Sequence, residues 1–515
     1  MHSTLSERLD HLTKTFGDTI AIVESERQID FATLNLQSRN LAGHLANRGV
    51  KAGDRLGLWL PNGIEWIQCL LACAHLGVTV LSINTRFKSH EVQDVIERGN
   101  TKWLVYWPGF KGIAFDNILA DVDATALATL EGKFTLDDIQ SMAKTSSKVA
   151  PAHGDHGVIT FTTSGTTSLP KFVLHTQSAL VSHADAIANA FLYDASTRVL
   201  ASAPFCGTFG FSTLSGGLLT GRTVVCEAVS DPASLLNLIR KHQITHTYAN
   251  NSLIQQIMEA SNSRDDFRSC RLFGFAAFAP AFGELFDMAL QNGLPLTGLY
   301  GSSELQALVA AQPTDPSKGD VSVLHQPGGL LVHPTARVRT RDPESGELLA
   351  LGQSGELEIL TPSHMSAYLD QPETTHKSFT EDGYFKTGDL GWCVSERQFV
   401  FQARMGDSLR LAGFLVNPAE IEQAVEELPG ILAAQVVAAQ KDGKYLPVAF
   451  VVMQPDRAPD PQAWHSQCKR RLAGFKVPAH FEILDDFPTI QSANSTKIQK
   501  HRLREMAQAL VDRLP

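Results

Sequence analysis

Apolar residues along this chain switch between helical spacing and short strand-like runs. From Asp30 to Leu104 an amphipathic stretch through Leu34 to Leu45 precedes the apolar Leu56-Gly-Leu-Trp-Leu60, a helical pattern around Glu65 to Leu76 and the run Val78 to Ile83. The rhythm returns between Arg198 and Phe278, where Val199 to Ala203, Thr223 to Cys226, Thr245 to Tyr248 and Leu272 to Phe275 read as buried strands separated by helices. Apolar strands alternating with helices predict an α/β fold with parallel-sheet layers covered on both faces. Between Gly329 and Val400 the pattern becomes short alternating strands punctuated by Gly and Asp, as in Gly355-Glu-Leu-Glu-Ile359, which predicts a β-rich, mostly antiparallel portion. Beyond Ala403 lies a smaller segment of about a hundred residues, long enough for its own domain, with strands at Ala434 to Ala438 and Val448 to Val452.

Composition narrows the class. The 515 residues allow two to four domains, and 19 % charged with 43 % hydrophobic residues is ordinary for a globular protein. A formal net charge of -10 argues against a nucleic-acid surface, which needs clustered Lys and Arg. Seven cysteines, an odd number without a Cys-x-x-Cys pair, read as reduced thiols of a cytoplasmic protein. Cys69 and Cys73 sit four apart in an apolar helix, where they read as core filling, since two thiols without a third ligand make no zinc site. The opening Met1 to Arg8 lacks the apolar core of a signal peptide. The longest apolar stretch, Trp66 to Leu81, is interrupted by Gln68, His75 and Gly77, so no integral membrane association is expected.

The densest chemistry lies at Thr160-Phe-Thr-Thr-Ser-Gly-Thr-Thr-Ser-Leu-Pro-Lys171, which puts seven hydroxyls and one glycine in its first nine positions. After a strand-forming lead-in, Gly165 lets the backbone turn so that N–H groups and short hydroxyls converge on an anion, and Lys171 adds a cation. This is a phosphate cradle, but not the P-loop of NTPases. That motif needs Gly-Lys-Ser/Thr, whereas here Pro170-Lys171-Phe172 offers neither the N–H nor the metal-binding hydroxyl.

Four further motifs lie downstream: Tyr300-Gly-Ser-Ser-Glu304, Tyr384-Phe-Lys-Thr-Gly-Asp-Leu-Gly391, Ala403-Arg-Met-Gly-Asp407 leading to Val416-Asn-Pro-Ala-Glu-Ile-Glu422, and Asn494-Ser-Thr-Lys-Ile-Gln-Lys500. In this order and spacing the chain resembles the adenylate-forming superfamily of acyl-CoA synthetases, adenylation domains and beetle luciferase. The resemblance runs from Gly53-Asp54-Arg55 and Leu60-Pro61-Asn62 to Lys497.

The resemblance implies a large N-terminal domain over 1–402, a hinge at 403–407 pivoting on Gly406 and Asp407, and a small mobile α+β C-terminal domain over 408–515. It implies that Thr163, Ser164, Gly165, Thr166, Thr167, Ser168 and Lys171 receive phosphates, and that Tyr300 offers adenine a flat face beside Gly301. Ser303 would donate to a phosphate, Glu304 with the Thr167 hydroxyl would hold Mg²⁺, Asp389 would accept from the ribose, and Arg404 would reach ribose or phosphate. Lys497 is the implied catalytic lysine, selected over Lys500 because it precedes Ile498. The chain departs from the pattern at Ala403, Gly406 and Thr496.

The implied activity is ATP-dependent formation of an acyl-adenylate from a small-molecule carboxylic acid, then transfer to coenzyme A. A discrete carrier protein as acceptor, a non-catalytic sensor on the same fold, and a homodimer all remain open. Gly207, Phe209, Asn250, Phe278 and Ser302 would line the acyl pocket. Gly207, where the family frequently has histidine, opens space, while Phe278 in a glycine's place closes it. The balance leans to a small, medium-sized or aromatic acid over a long-chain fatty acid.

Overall fold

The computed structural model describes residues 4–148, 152–163, 170–229, 231–276, 282–313, 319–320, 326–343, 345–405, 409–412, 414–416, 418–455, 457–492 and 495–513. Two large sheets dominate the first four hundred residues. In one, seven strands run in the order Ala367–Tyr368, Lys171–Thr176, Gly157–Thr163, Thr79–Ser82, Arg55–Trp59, Trp103–Tyr106 and Gly132–Thr135. All its pairs are parallel except the two that join Lys171–Thr176 to Gly157–Thr163 and to Ala367–Tyr368.

The other sheet has thirteen strands. Its parallel portion comprises Ile20–Glu24, Thr223–Cys226, Arg198–Ala201, His246–Ala249, Leu272–Ala276 and Leu296–Ser302. The antiparallel strands expected between Gly329 and Val400 do not form a separate sheet. They continue this one through Gln306–Ala311, Gly328–Leu331, Gln398–Arg404, Phe385–Cys393, Ser354–Leu360 and Arg337–Arg341. The tight return from Ser302 to Gln306 reverses the chain beside its own strand, so the later strands add to the same edge.

Helices fill the space between the sheets. Ile64–Leu76, apolar nearly all round, is buried from Ile64 to His75, and its Trp66 meets Phe205 at 5.4 Å. Leu56, Val80 and Ile159 of one sheet and Val199 and Val224 of the other share one continuous core with it. The carboxylate at the head of this helix, Glu65, is buried and satisfied by Arg27 at 2.5 and 2.9 Å and by the Gln140 amide at 2.9 Å. Burial works to raise its pKa, but the Arg27 contacts outweigh it and hold the group below its ordinary value.

Strands after Arg404 join neither large sheet. Ile431–Lys441 and Lys444–Met453 form a long antiparallel pair, with His480–Ile483 added in parallel. The first strand outruns the Ala434 to Ala438 expected from hydrophobicity because Asp442-Gly443 takes positive φ at both positions, 49° and 71°. That is the tight hairpin turn that keeps pairing complete to its ends. Val436 and Val451 face the helices Pro418–Glu426 and Pro461–Arg471, while Val437 and Phe450 face Lys500–Val511. Among the described residues no helix is long and apolar enough to cross a membrane.

The C-terminal part docks on the N-terminal part through Lys476, whose buried amine donates to Glu91 Oε1 at 2.9 Å and Glu420 Oε1 at 2.6 Å. Burial opposes its charge, yet the two carboxylates outweigh burial and hold its pKa above the ordinary value, while burial pushes Glu91 up. Beside this contact a cavity of about 320 Å³ is lined by Thr85, Arg86, Phe87, Lys88, Gly474 and Phe475, among others. Glu91→Ala should weaken docking by about 1–3 kcal/mol, because Lys476 keeps Glu420 but loses its partner across the junction. Small-angle scattering should then give a larger radius of gyration, and limited proteolysis should cut the 403–407 segment faster. Equal rates in variant and wild type would show that this pair does not hold the two parts together.

Candidate active site

The first motif sits on a β-hairpin. Gly157–Thr163 and Lys171–Thr176 pair in register, with Thr163 opposite Lys171, so the intervening turn carries the hydroxyl-rich segment. Ser164, Gly165, Thr166, Thr167 and Ser168 lie outside the described residues, as does the Thr163 side chain. The Lys171 amine lies 4.4 Å from the centre of the Tyr368 ring.

The second motif ends a strand and turns. Leu296–Ser302 returns as Gln306–Ala311, with an irregular register between Tyr300 and Ser302. Gly301 is required by packing, since a Cβ there would sit 2.7 Å from Ala307 Cα and 2.9 Å from Leu308 N. The return strand is strained: Gln306 and Leu308 have φ of 60° and 68°, a conformation that costs a non-glycine residue about 1–3 kcal/mol. Buried polar groups hold it. His175 Nε2–H donates to Ser303 O at 2.7 Å and His183 Nε2–H to Ala307 O at 2.6 Å, while the Gln306 amide reaches Ala179 O and Ser363 O at 3.2 and 3.1 Å. A carbonyl can only accept, which assigns the proton on each histidine.

Glu304, 7 % exposed, accepts from the Tyr368 hydroxyl at 2.8 Å through Oε1, and Met365 N–H donates to its carbonyl at 2.6 Å. No described residue hydrogen-bonds to its other carboxylate oxygen. Among the described residues no cluster of three or more His, Cys, Asp or Glu could hold a metal. One hard anionic oxygen fits Mg²⁺, which usually takes one or two carboxylates and completes its shell with water and substrate phosphates.

The Tyr300 ring, expected to offer adenine a flat face, is 1 % exposed, edge-on to Phe399 at 4.9 Å and tilted against Phe401 at 5.9 Å. Its hydroxyl donates to Asp389 Oδ2 at 2.5 Å. Asp389, 4 % exposed, lies on Phe385–Cys393, where its Cα pairs with that of Arg404 on Gln398–Arg404. The Arg404 side chain lies outside the described residues, as do Gly406 and Asp407.

The residues expected to line an acyl pocket divide. Gly207 precedes the helix Thr208–Leu218, and among the described residues a Cβ there would meet nothing within 4 Å but Pro204 O at 3.7 Å. Phe209, on that helix, is half-buried against the cluster that holds Tyr248 and Leu299. Ser302 Oγ accepts from Leu305 N–H at 3.3 Å. Asn250 caps the helix Asn251–Ala260, accepting from Leu253 N–H at 2.8 Å. Phe278 lies outside the described residues. Lys497 sits on Ser495–Ile498, paired with Ile490, and its side chain is not described. Lys500 is held by Glu422 at 3.3 Å.

Sequence reasoning missed Tyr368, His175 and His183. Tyr368 carries no chemical signature in Ala367-Tyr-Leu-Asp370; His175 could have been found as a polar residue in the buried strand Lys171–Thr176.

Two family models cover the chain: that of the AMP-binding enzyme matches residues 9–369, and that of the AMP-binding enzyme C-terminal domain matches 420–494. The chain therefore belongs to the AMP-binding enzyme family. It is 28 % identical over 98 % of its length to a 3-[(3aS,4S,7aS)-7a-methyl-1,5-dioxo-octahydro-1H-inden-4-yl]propanoyl:CoA ligase of Rhodococcus jostii, 98 % of which is covered. Among solved structures it is similar to a double mutant of o-succinylbenzoate CoA synthetase from Bacillus subtilis bound with the product analogue OSB-NCoA. The TM-score is 0.84 at 23 % identity, covering 97 % of this chain and 98 % of that one. To the same synthetase in complex with ATP and magnesium the TM-score is 0.68 at 24 % identity, covering 93 % and 96 %.

The clamp on the motif hairpin makes a pH prediction. Burial, the largest cause, pulls His175 and His183 each down to about 4. The unfolded chain therefore takes up protons that the folded chain refuses. The stability these groups confer is complete above pH about 6.5 and is lost as pH falls towards about 4. In denaturant unfolding, wild type should lose about 1.4 kcal/mol per pH unit for each histidine over that window, relative to His175→Gln and His183→Gln variants that keep an N–H donor. Parallel slopes would show that the histidines already carry protons in the fold.

Proposed function

We propose that the protein is an AMP-forming acid–thiol ligase, which activates a carboxylic acid as its acyl-adenylate with release of pyrophosphate and passes the acyl group to coenzyme A. The observation that carries this reading is the gathering of Lys171, Glu304 and Asp389, drawn from two sheets, around one hairpin through the rings of Tyr368 and Tyr300. A carboxylate is a poor electrophile because its charge repels nucleophiles and oxide does not leave. Attack of its oxygen on the α-phosphorus of ATP gives it AMP as a leaving group. Two anions must meet, so positioning and charge neutralisation supply most of the acceleration.

In this reading Lys171 and the turn from Thr163 to Ser168 receive the departing phosphates, Asp389 and Arg404 fix the ribose, and Lys497 lies between carboxylate and α-phosphate. Magnesium, when bound at Glu304 with the Thr167 hydroxyl, supplies neutralisation of phosphate charge. Asp389 exchanges its Tyr300 donor for ribose hydroxyls as the nucleotide enters.

The C-terminal part then rotates about Gly406-Asp407, withdrawing Lys497 and admitting a thiol. The higher likeness to the synthetase holding a product analogue than to the one holding ATP and magnesium supports two arrangements of this kind. The cavity at the junction supports coenzyme A as acceptor, since Arg86 and Lys88 beside Phe87 and Phe475 suit a nucleotide with phosphates. Space beside Gly207 leaves room for an acyl group, and the preference for a small, medium-sized or aromatic acid rests on Phe278 closing the other side. Seven unpaired cysteines support a cytoplasmic setting.

Pyrophosphate release across a panel of acids, with and without coenzyme A, tests the reading. Release that needs an acid supports the ligase, and none with any acid favours a sensor. Adenylate that coenzyme A fails to discharge points to a carrier protein. Lys497→Ala should depress acid-dependent pyrophosphate release by orders of magnitude yet spare thioester formation from supplied acyl-adenylate; equal loss in both would sink the assignment. Lys500→Ala, which removes only the Glu422 partner, should leave both half-reactions near wild type. Arg86→Ala with Lys88→Ala should raise KM for coenzyme A about tenfold or more without changing pyrophosphate release. An unchanged KM would remove the cavity from the pathway.

A further inference from the structure

Outside the residues already assigned, one buried side chain touches two of them. Tyr368 is 4 % exposed and ends the two-residue strand Ala367–Tyr368, where its Cα pairs with Val173. Val173 is two residues beyond Lys171, so the pleat puts Lys171 and Val173 on one face, and the ring comes under the Lys171 amine by register alone. The backbone around it is fixed on both sides. Ser366 N–H donates to Leu174 O and Leu369 N–H to Phe172 O, each at 2.8 Å, while Met365 N–H donates to Glu304 O at 2.6 Å. The Tyr368 N–H donates to Thr375 Oγ1 at 2.9 Å. The ring therefore has one place to be, with its hydroxyl on the Glu304 carboxylate and its face towards the Lys171 ammonium.

We propose that Tyr368 is a positioning residue that sets Glu304 and Lys171 at one spacing, so that metal and nucleotide phosphates are received together. The inference rests on the reading of Glu304 as metal ligand and Lys171 as phosphate ligand. The hydroxyl occupies Oε1, which holds the carboxylate in one rotamer and leaves the other oxygen for a hard cation. A phenol that donates to a carboxylate gains electron density in its ring, and an electron-rich face attracts an ammonium more strongly. One side chain thus serves both an anionic and a cationic ligand, and deleting its hydroxyl separates the two effects.

ATP affinity measured by calorimetry, once in EDTA and once with Mg²⁺, reads both. Tyr368→Phe keeps the ring, so affinity in EDTA should stay within about twofold of wild type, while the gain on adding Mg²⁺ should shrink by about ten- to a hundredfold. Tyr368→Leu should also lose about two- to fivefold in EDTA, because the face under Lys171 is gone. Tyr368→His, which keeps a ring donor, should recover part of the Mg²⁺ gain; if the phenylalanine variant does not fold, Tyr368→Leu, which also lacks the hydroxyl, reads the loss of that gain in its place. A purely structural residue would change the melting temperature and shift both affinities alike. Glu304→Gln is the reference. If it loses the Mg²⁺ gain while Tyr368→Phe retains it, Tyr368 does not position the carboxylate and the inference fails alone. If Glu304→Gln keeps the full gain, the assignment of Glu304 fails and takes this one with it.

Discussion

Everything proposed for the active site hangs from one strained turn. The hairpin of Leu296–Ser302 and Gln306–Ala311 folds back so tightly that Gly301 touches the opposite backbone and two non-glycine residues adopt positive φ. Such a turn persists only if its surroundings determine it fully, and buried backbone carbonyls there must find donors. Two neutral histidines and the Met365 N–H supply them from three other segments, while the turn's own Gln306 amide donates outward to Ala179 O and Ser363 O. The site is thus built by long-range contacts that close on a local distortion.

Because the same hairpin is where the parallel strands of the large sheet give way to antiparallel ones, it meets both neighbours that matter. On one side Tyr300 touches Asp389, beside the strand that leads out of the N-terminal part; on the other, Glu304 touches Tyr368 and so the strand that carries Lys171. Asp389 and Glu304 each accept from a phenol. A neutral donor fixes a carboxylate without cancelling its charge, which suits the metal and ribose roles proposed for Glu304 and Asp389.

The junction between the two parts obeys different physics. One lysine serves two carboxylates, one from each side, in a buried setting next to a cavity with cationic walls. Breaking it exposes charge to water, which solvates the ions again, so the contact is reversible in a way that an apolar seam of the same size is not. That property fits the rotation of the C-terminal part that is proposed for the second half-reaction.

Much of this was legible in the chain itself. Hydrophobic period marked the helix Ile64–Leu76 and the strands Arg198–Ala201 and Thr223–Cys226, and the five motifs with their spacing pointed to the family, because phosphate, metal and ribose each demand particular side chains close together in sequence. Local patterns could not show that the antiparallel strands extend the parallel sheet or that the Tyr300 ring is buried. Nor could they show which groups Tyr368, His175 and His183 hold, since these lie far along the chain from them. Sequence determined which chemical groups are present and the period of each element, since both are local properties. Which partner each buried polar group meets was decided only when distant strands came into register, because a hydrogen bond depends on separation in space and not along the chain.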